Sequence, residues 1–244
     1  LSGRRRHRDA GSQPKAGPDG HGHPAADRAA GRADPVHDFV CGVGGVRSYV
    51  LVWLVRMGIG SFTIVDFDVV DITNINRQLI ALHSTIGKKK VEVAKARVLD
   101  INKEVRIKAL DLIISEETID EIVGVNYDYI IDAIDDVKGK IALIKKAKEL
   151  NIPIISSMGT GNKLDPTKLK IMDLNQTSYC PLAKKMRYEL RKIGITHLKV
   201  LSSLEMPHEV ITDDPTVHTV ASVSFVPSSG GLLIVSEVVK DLLK

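Results

Sequence analysis

A strand, a glycine-rich turn, a helix and a second strand in immediate succession constrain this chain more than any other feature. Val36–Gly42 reads as the first strand, interrupted by His37 and Asp38, and Gly42-Val-Gly-Gly-Val-Arg-Ser48 joins it to a helix over Gly44–Met57. Ser61–Asp66 (S-F-T-I-V-D) reads as the second strand. Glycines at such a turn let backbone N–H groups approach a phosphate, and the start of the following helix favours negative charge. G-x-G-G alone is shared by many mononucleotide and dinucleotide sites. Arg47 stands where a further glycine would complete G-x-G-x-x-G and serve close helix–strand packing. Asp66, 24 residues after Gly42, sits where ribose hydroxyls are gripped in such folds, with a strand-end cap as the alternative.

The alternation continues along the chain. Helical patterns cover Lys88–Asn102, Ser115–Val123, Val137–Leu150, Pro181–Ile193 and Gly231–Leu243; strand patterns cover Val105–Leu110, Tyr127–Ile134, Ile152–Ser157, Leu169–Leu174 and Leu198–Leu201. Strands alternating with helices argue for a mainly parallel sheet with crossover helices. No run approaches the length of apolar residues needed to span a bilayer. Two cysteines, Cys41 and Cys180, build neither a disulfide framework nor a four-cysteine zinc site.

Composition divides the chain in two. Residues 1–38 contain seven Ala, six Gly, four Pro and no Ile, whereas residues 39–244 hold all 25 Ile and 20 of the 21 Lys. The first stretch buries too little apolar area to offset its ordering entropy, so disorder is expected there. A translation in another reading frame or a misjoined segment would give that vocabulary; a basic nucleic-acid arm is the alternative, with seven Lys/Arg against five Asp. The overall charge of +4 therefore splits evenly, +2 on each stretch.

Three further motifs carry chemistry. Asp71-Ile-Thr-Asn-Ile-Asn-Arg-Gln78 gathers amides and a guanidinium in a polar turn, and Lys88-Lys-Lys90 follows at a helix start. A nicotinamide site needs no such cluster, but the triphosphate of ATP does: cations neutralise charge moving onto leaving pyrophosphate. Asp132-Ala-Ile-Asp135-Asp136 ends a buried strand, and a carboxylate there suits a magnesium ion bridging phosphates, with a buried structural role as the alternative for Asp132. Lys184, Lys185, Arg187, Arg191, Lys192 and Lys199 gather around the Pro181–Ile193 helix, either as a solvated face or as a phosphate-binding one.

G-V-G-G-V, G-I-G-S-F-T-I-V-D, N-I-N-R-Q, G-K-K-K-V-E-V and D-A-I-D resemble the ThiF/MoeB/ubiquitin-activating-enzyme superfamily, whose members adenylate carboxylates. Ile152–Lys168, Thr177–Leu190 and Phe225–Leu232 resemble its tRNA threonylcarbamoyladenosine dehydratase branch (TcdA/CsdL-like), and the likeness runs from about Val40 to Lys244. The resemblance implies a Rossmann-like, doubly wound α/β adenylating domain over 39–244, with 1–38 outside it. It implies ATP and magnesium as cofactors, and tRNA carrying threonylcarbamoyladenosine as substrate. A homodimer, contact with a sulfur-relay protein and a cytoplasmic location are implied as well. By position, Gly42, Gly44 and Gly45 would line the nucleotide, and Asp66 would hold the ribose. Asn74, Asn76, Arg77 and Gln78 would meet its phosphates, Lys90 would contact phosphate, and Asp135 would bind magnesium. Arg77, Lys90 and Asp135 carry the catalytic expectation. Cys180 falls in the branch's T-S-x-C-P-L-A motif and reads as a packing cysteine, and Cys41 as core.

Arg47, Val52 and Trp53 depart from the family pattern, and Pro207–Ser224 lacks the cysteine-bearing stretch of many relatives. The Arg47 side chain would either displace ATP or swing outward and add a phosphate contact. Two rival functions stand beside the tRNA-modifying cyclase: a non-catalytic nucleotide-binding or interaction module, and a sulfur-carrier adenylyltransferase. The latter ordinarily carries paired C-x-x-C zinc motifs, which this chain lacks.

Overall fold

The computed structural model describes residues 36–210 and 220–244. Nearly all of the expected disordered segment 1–38, and the middle of Pro207–Ser224, lie outside the described residues. Strands β1 (His37–Cys41), β2 (Ser61–Val65), β3 (Arg106–Leu110), β4 (Tyr129–Asp132), β5 (Ile154–Ser157), β6 (Leu169–Asp173) and β7 (Lys199–Ser203) form one sheet. Their order is β3-β2-β1-β4-β5-β7-β6, and every neighbouring pair is parallel except β6–β7.

Helices α1 (Arg47–Arg56), α2 (Lys90–Ile101) and α6 (Phe225–Leu242) cover one face, where Val50, Leu54, Val91, Val98, Ile234 and Val238 share a core. The short α3 (Ile119–Ile122), with α4 (Val137–Glu149) and α5 (Pro181–Lys192), covers the other, around Ile122, Leu143, Met186 and Leu190. Both faces of a parallel sheet are covered in this way, which is why β2, β4 and β5 are buried along their whole length. From β1 the chain winds outward through β2 and β3, then returns to β4 on the other side of β1. The expected doubly wound, mainly parallel α/β fold is therefore present. Its switch point lies between the carboxyl ends of β1 and β4, where such sheets open a crevice.

Two elements differ from their sequence patterns. The Ser115–Val123 helix shrinks to α3 because the Thr118 hydroxyl donates to Ile113 O at 2.7 Å and accepts from Ser115 N–H at 3.0 Å, closing a turn first. In contrast, α6 starts six residues before the expected Gly231. Gly230 and Gly231 act there as contact residues: a Cβ would lie 2.8 Å from Leu201 Cδ2 or 2.7 Å from Val46 O. Their lack of side chains lets α6 lie directly on β7 and α1. Lys199 Nζ donates to Glu237 at 2.7 Å and Asp241 at 2.5 Å, and Tyr129 Oη donates to Asp241 at 2.8 Å, fastening α6 to the sheet.

Asn162 pins two chain segments at one place. Its backbone N–H donates to Ala221 O at 2.8 Å, its carbonyl accepts from His208 N–H at 2.9 Å, and its Oδ1 accepts from Ala221 N–H at 2.7 Å. Its φ of 57° lies in the left-handed region that asparagine tolerates.

Candidate active site

The glycine turn leaves β1 at the switch point. Gly42 has φ 82°, a conformation open to glycine, and its N–H donates to Val65 O. The buried Asp66 carboxylate locks this turn, accepting from Val43 N–H at 2.6 Å and Asp68 N–H at 2.9 Å. Asp66 thus acts as the strand-end cap named as its alternative. It stands beside the glycines, where a ribose contact would also be made.

The polar turn after β2 divides into builders and presenters. Asp71 Oδ1 accepts from Thr73 N–H at 2.8 Å and Asn74 Oδ1 accepts from Asp71 N–H at 3.2 Å, so the buried Asn74 is committed to closing the turn. Asn76 Nδ2 donates to Ser222 O at 2.9 Å, tying the turn to the approach of α6. Arg77 Nη1 donates to Thr73 O and Asn76 Oδ1, both at 2.9 Å. The stem of Arg77 lies against the glycine turn, since a Cβ on Gly45 would be 3.5 Å from Arg77 Cγ. Gln78 is buried, and its Oε1 lacks a hydrogen-bond partner among the described residues. Ser48 Oγ accepts from Leu79 N–H at 3.2 Å, which fixes the start of α1 to this turn.

Of the three lysines, Lys90 alone is buried; its Nζ donates to Asp68 Oδ2 at 2.7 Å, and its N–H to Asp68 O at 2.9 Å. Asp68 is the residue that sequence reasoning passed over, although the spacing Asp66-x-Asp68 was available as a signal. Lys89 pairs with Asp111 at the surface, which holds its ammonium above the ordinary lysine range. Lys88 is exposed.

The aspartate that ends β4 and the one three residues on part company. Asp132 is fully buried, accepting from Lys140 Nζ at 2.7 Å, Ser156 Oγ at 2.6 Å and Ile134 N–H at 2.9 Å. It is a structural carboxylate. Asp135 is 98% exposed and faces Arg47 Nη2 at 3.9 Å. Among the described residues no three His, Cys, Asp or Glu gather as a metal-binding group. A cation at Asp135 would take most of its ligands from phosphate and water, which is the habit of magnesium.

Arg47 complicates the fit of a nucleotide. A Cβ on Gly42 would lie 1.5 Å from Arg47 Nη1, and one on Gly44 2.8 Å from Nη2. The guanidinium therefore fills the space these glycines leave open and faces Asp135.

A sequence profile described as the ThiF family matches residues 30–244. The chain belongs to the ThiF family. The tRNA threonylcarbamoyladenosine dehydratase of Bacillus subtilis is 44% identical to this ThiF-family chain over 218 residues, 84% of the chain and 86% of that protein. The dehydratase of Haemophilus influenzae is 45% identical over 161 residues, 66% of the chain and 62% of that protein. The crystal structure of Escherichia coli tRNA N6-threonylcarbamoyladenosine dehydratase, TcdA, in complex with ATP superposes with a TM-score of 0.80 at 32% identity. That superposition covers 90% of this chain and 88% of TcdA.

The two cysteines and the basic residues near α5 complete the expected set. Cys180 is buried, its Sγ accepting from Ala183 N–H at 3.5 Å at the start of α5, in the packing role expected of it. Cys41 ends β1. The basic gathering near α5 is smaller than the sequence implies. Arg187 donates to Thr177 O at 3.0 Å, and Lys199 faces α6, leaving Lys184, Lys185, Arg191 and Lys192 exposed around Tyr188. Lys192 Nζ lies 4.0 Å from the Tyr188 ring centre, a cation–π contact. A separate open cavity of about 460 Å³ lies at the opposite, amino-terminal end of β1–β3, lined in part by His37, Thr63, Arg106 and Tyr127. None of the described helices is long and apolar enough to cross a membrane.

Proposed function

We propose that this chain dehydrates threonylcarbamoyladenosine at position 37 of tRNA to its cyclic form, at the expense of ATP. The observation that carries this reading is the 44% identity over 218 residues with a dehydratase of that name. The crevice supplies a chemical rationale. A carboxylate is a poor electrophile at neutral pH, so its oxygen first bonds to the α-phosphorus as the bond to pyrophosphate breaks. A group of the same nucleoside then attacks the activated carbonyl, AMP leaves with the carboxylate oxygen, and the net loss from the nucleoside is one water. No protein nucleophile is required, because the attacking group is already held beside the carbonyl.

In this reading Gly44 and Gly45 line the phosphates, Asp66 holds the ribose, and Arg77 and Lys90 take charge from the departing pyrophosphate. Asn76 and Gln78 orient the attacked phosphate. Asn74 supports the turn that carries them. Magnesium, held at Asp135, supplies charge neutralisation at the phosphates when bound. The exposed α5 face offers cations to a tRNA backbone. A homodimer, a sulfur-relay contact and a cytoplasmic location complete the proposal by kinship with the family.

The direct test incubates the chain with magnesium-ATP and tRNA bearing threonylcarbamoyladenosine. The expected result is loss of one water from the nucleoside, read by mass spectrometry, with AMP released in equal amount. Nucleotide binding without conversion would favour a non-catalytic module instead, the reading that the filled glycine turn supports. ATP–pyrophosphate exchange driven by a Gly-Gly-ended carrier protein would turn the assignment to sulfur-carrier adenylation.

A further inference from the structure

Arg47 is the first residue of α1, yet its side chain turns back over the loop that precedes it. In a strand–glycine loop–helix unit, the first glycine allows the tight turn and the second lets backbone approach a pyrophosphate. The guanidinium touches both: Nη1 lies over Gly42 and Nη2 over Gly44. Nη2 also faces Asp135 at 3.9 Å, and the Arg47 side chain is 13% exposed against 98% for that carboxylate. One mostly enclosed cation thus covers the phosphate surface of the loop and faces the carboxylate best placed to bind magnesium.

We propose that Arg47 closes the phosphate surface of its own glycine loop, so that the guanidinium must leave Gly42 and Gly44 before the phosphates of a nucleotide can settle there. The inference rests on the nucleotide reading of this crevice. Its pair with Asp135 is a weak latch, since a carboxylate so exposed is well solvated. Enclosure of the guanidinium in the turn also favours the closed state. A closed state that accounts for about nine-tenths of the molecules lowers apparent affinity about tenfold, because only the open fraction binds. The penalty falls on phosphates alone. Adenosine, which needs the Asp66 side of the crevice and not the loop surface, escapes it.

Calorimetric titration of the full chain with adenosine, AMP and ATP tests this, using wild type, Arg47→Gly and Arg47→Ala. Alanine keeps a good helix former at the start of α1, so a folding defect of the glycine variant does not decide the outcome. Both variants are expected to bind ATP about tenfold or more tightly than wild type, with adenosine affinity within about twofold. In wild type, the Nε resonance of Arg47 in a nitrogen-correlated NMR spectrum is expected to move on adding ATP and to stay put on adding adenosine. Unchanged or weaker ATP binding by the variants would overturn the proposal, the weaker result marking Arg47 as a phosphate ligand. Absence of ATP binding in all three proteins would overturn it together with the nucleotide reading. Tighter ATP binding without conversion of the tRNA nucleoside would uphold the closed loop and sink the proposed reaction.

Discussion

Two lysine–aspartate pairs flank the switch point with the same 2.7 Å separation and opposite surroundings. Lys140–Asp132 has no exposed side-chain surface on either partner, whereas Lys90–Asp68 joins a 7% exposed lysine to a 46% exposed aspartate. Asp132 is also saturated by Ser156 Oγ and Ile134 N–H, so neither charge has another place to go. Asp68 keeps one side in water, and its lysine can exchange it for a stronger anion. The shared distance is therefore uninformative. Exposure of the acid separates a pair sealed inside the fold from one that solvent reaches, and on the proposed function the second holds its cation ready for phosphate.

The sharpest way to break this contrast is Lys140→Met. It strands Asp132 in the interior and should lower unfolding stability by about 3–5 kcal/mol in urea titrations. Adding Asp132→Asn should restore part of that loss; a single variant as stable as wild type would mean that the sealed pair fastens nothing. Lys90→Met keeps the buried stem and should cost about 1 kcal/mol or less in the same measurement. Its effect should appear in turnover of the modified tRNA, reduced about 10²–10³-fold if the ammonium meets departing pyrophosphate. Equal losses of stability in both lysine variants would erase the distinction.

A third carboxylate calibrates the scale from far away. Burial pushes Asp241 upward, but hydrogen bonds from Lys199, Lys244 and Tyr129 outweigh it and hold the carboxyl down at about 2. A depressed acid stabilises the fold above its unfolded value of 3.8 and loses that contribution as pH falls toward 2. Asp241→Asn should therefore cost about 1 kcal/mol at neutral pH, after allowance for solvent screening. The difference from wild type should shrink between pH 4 and pH 2, in denaturant titrations at each pH.

Most of the sheet was legible because parallel strands are buried on both faces and announce themselves as unbroken apolar runs, as Tyr129-Ile-Ile-Asp132 does. The glycine turn and Asp66 stand out in the sequence because strand ends of a parallel sheet deliver side chains to one edge, whereas Arg77 and Lys90 are singled out through the family resemblance. What escaped depends on separation in sequence or on direction in space. Asp68 meets Lys90 across 22 residues. Asn74 and Asn76 are of one residue type, two positions apart, yet one closes the turn and the other reaches Ser222. Gly230 and Gly231 look like helix breakers until α1 and β7 are seen against them. The opposite directions of Asp132 and Asp135 follow from the strand ending between them.

Asn162 holds the shoulders of the segment between His208 and Ala221 at a single residue. A residue that offers its N–H, its carbonyl and its side-chain oxygen from one left-handed turn works as a three-point rivet, so its loss would release His208 and Ala221 together.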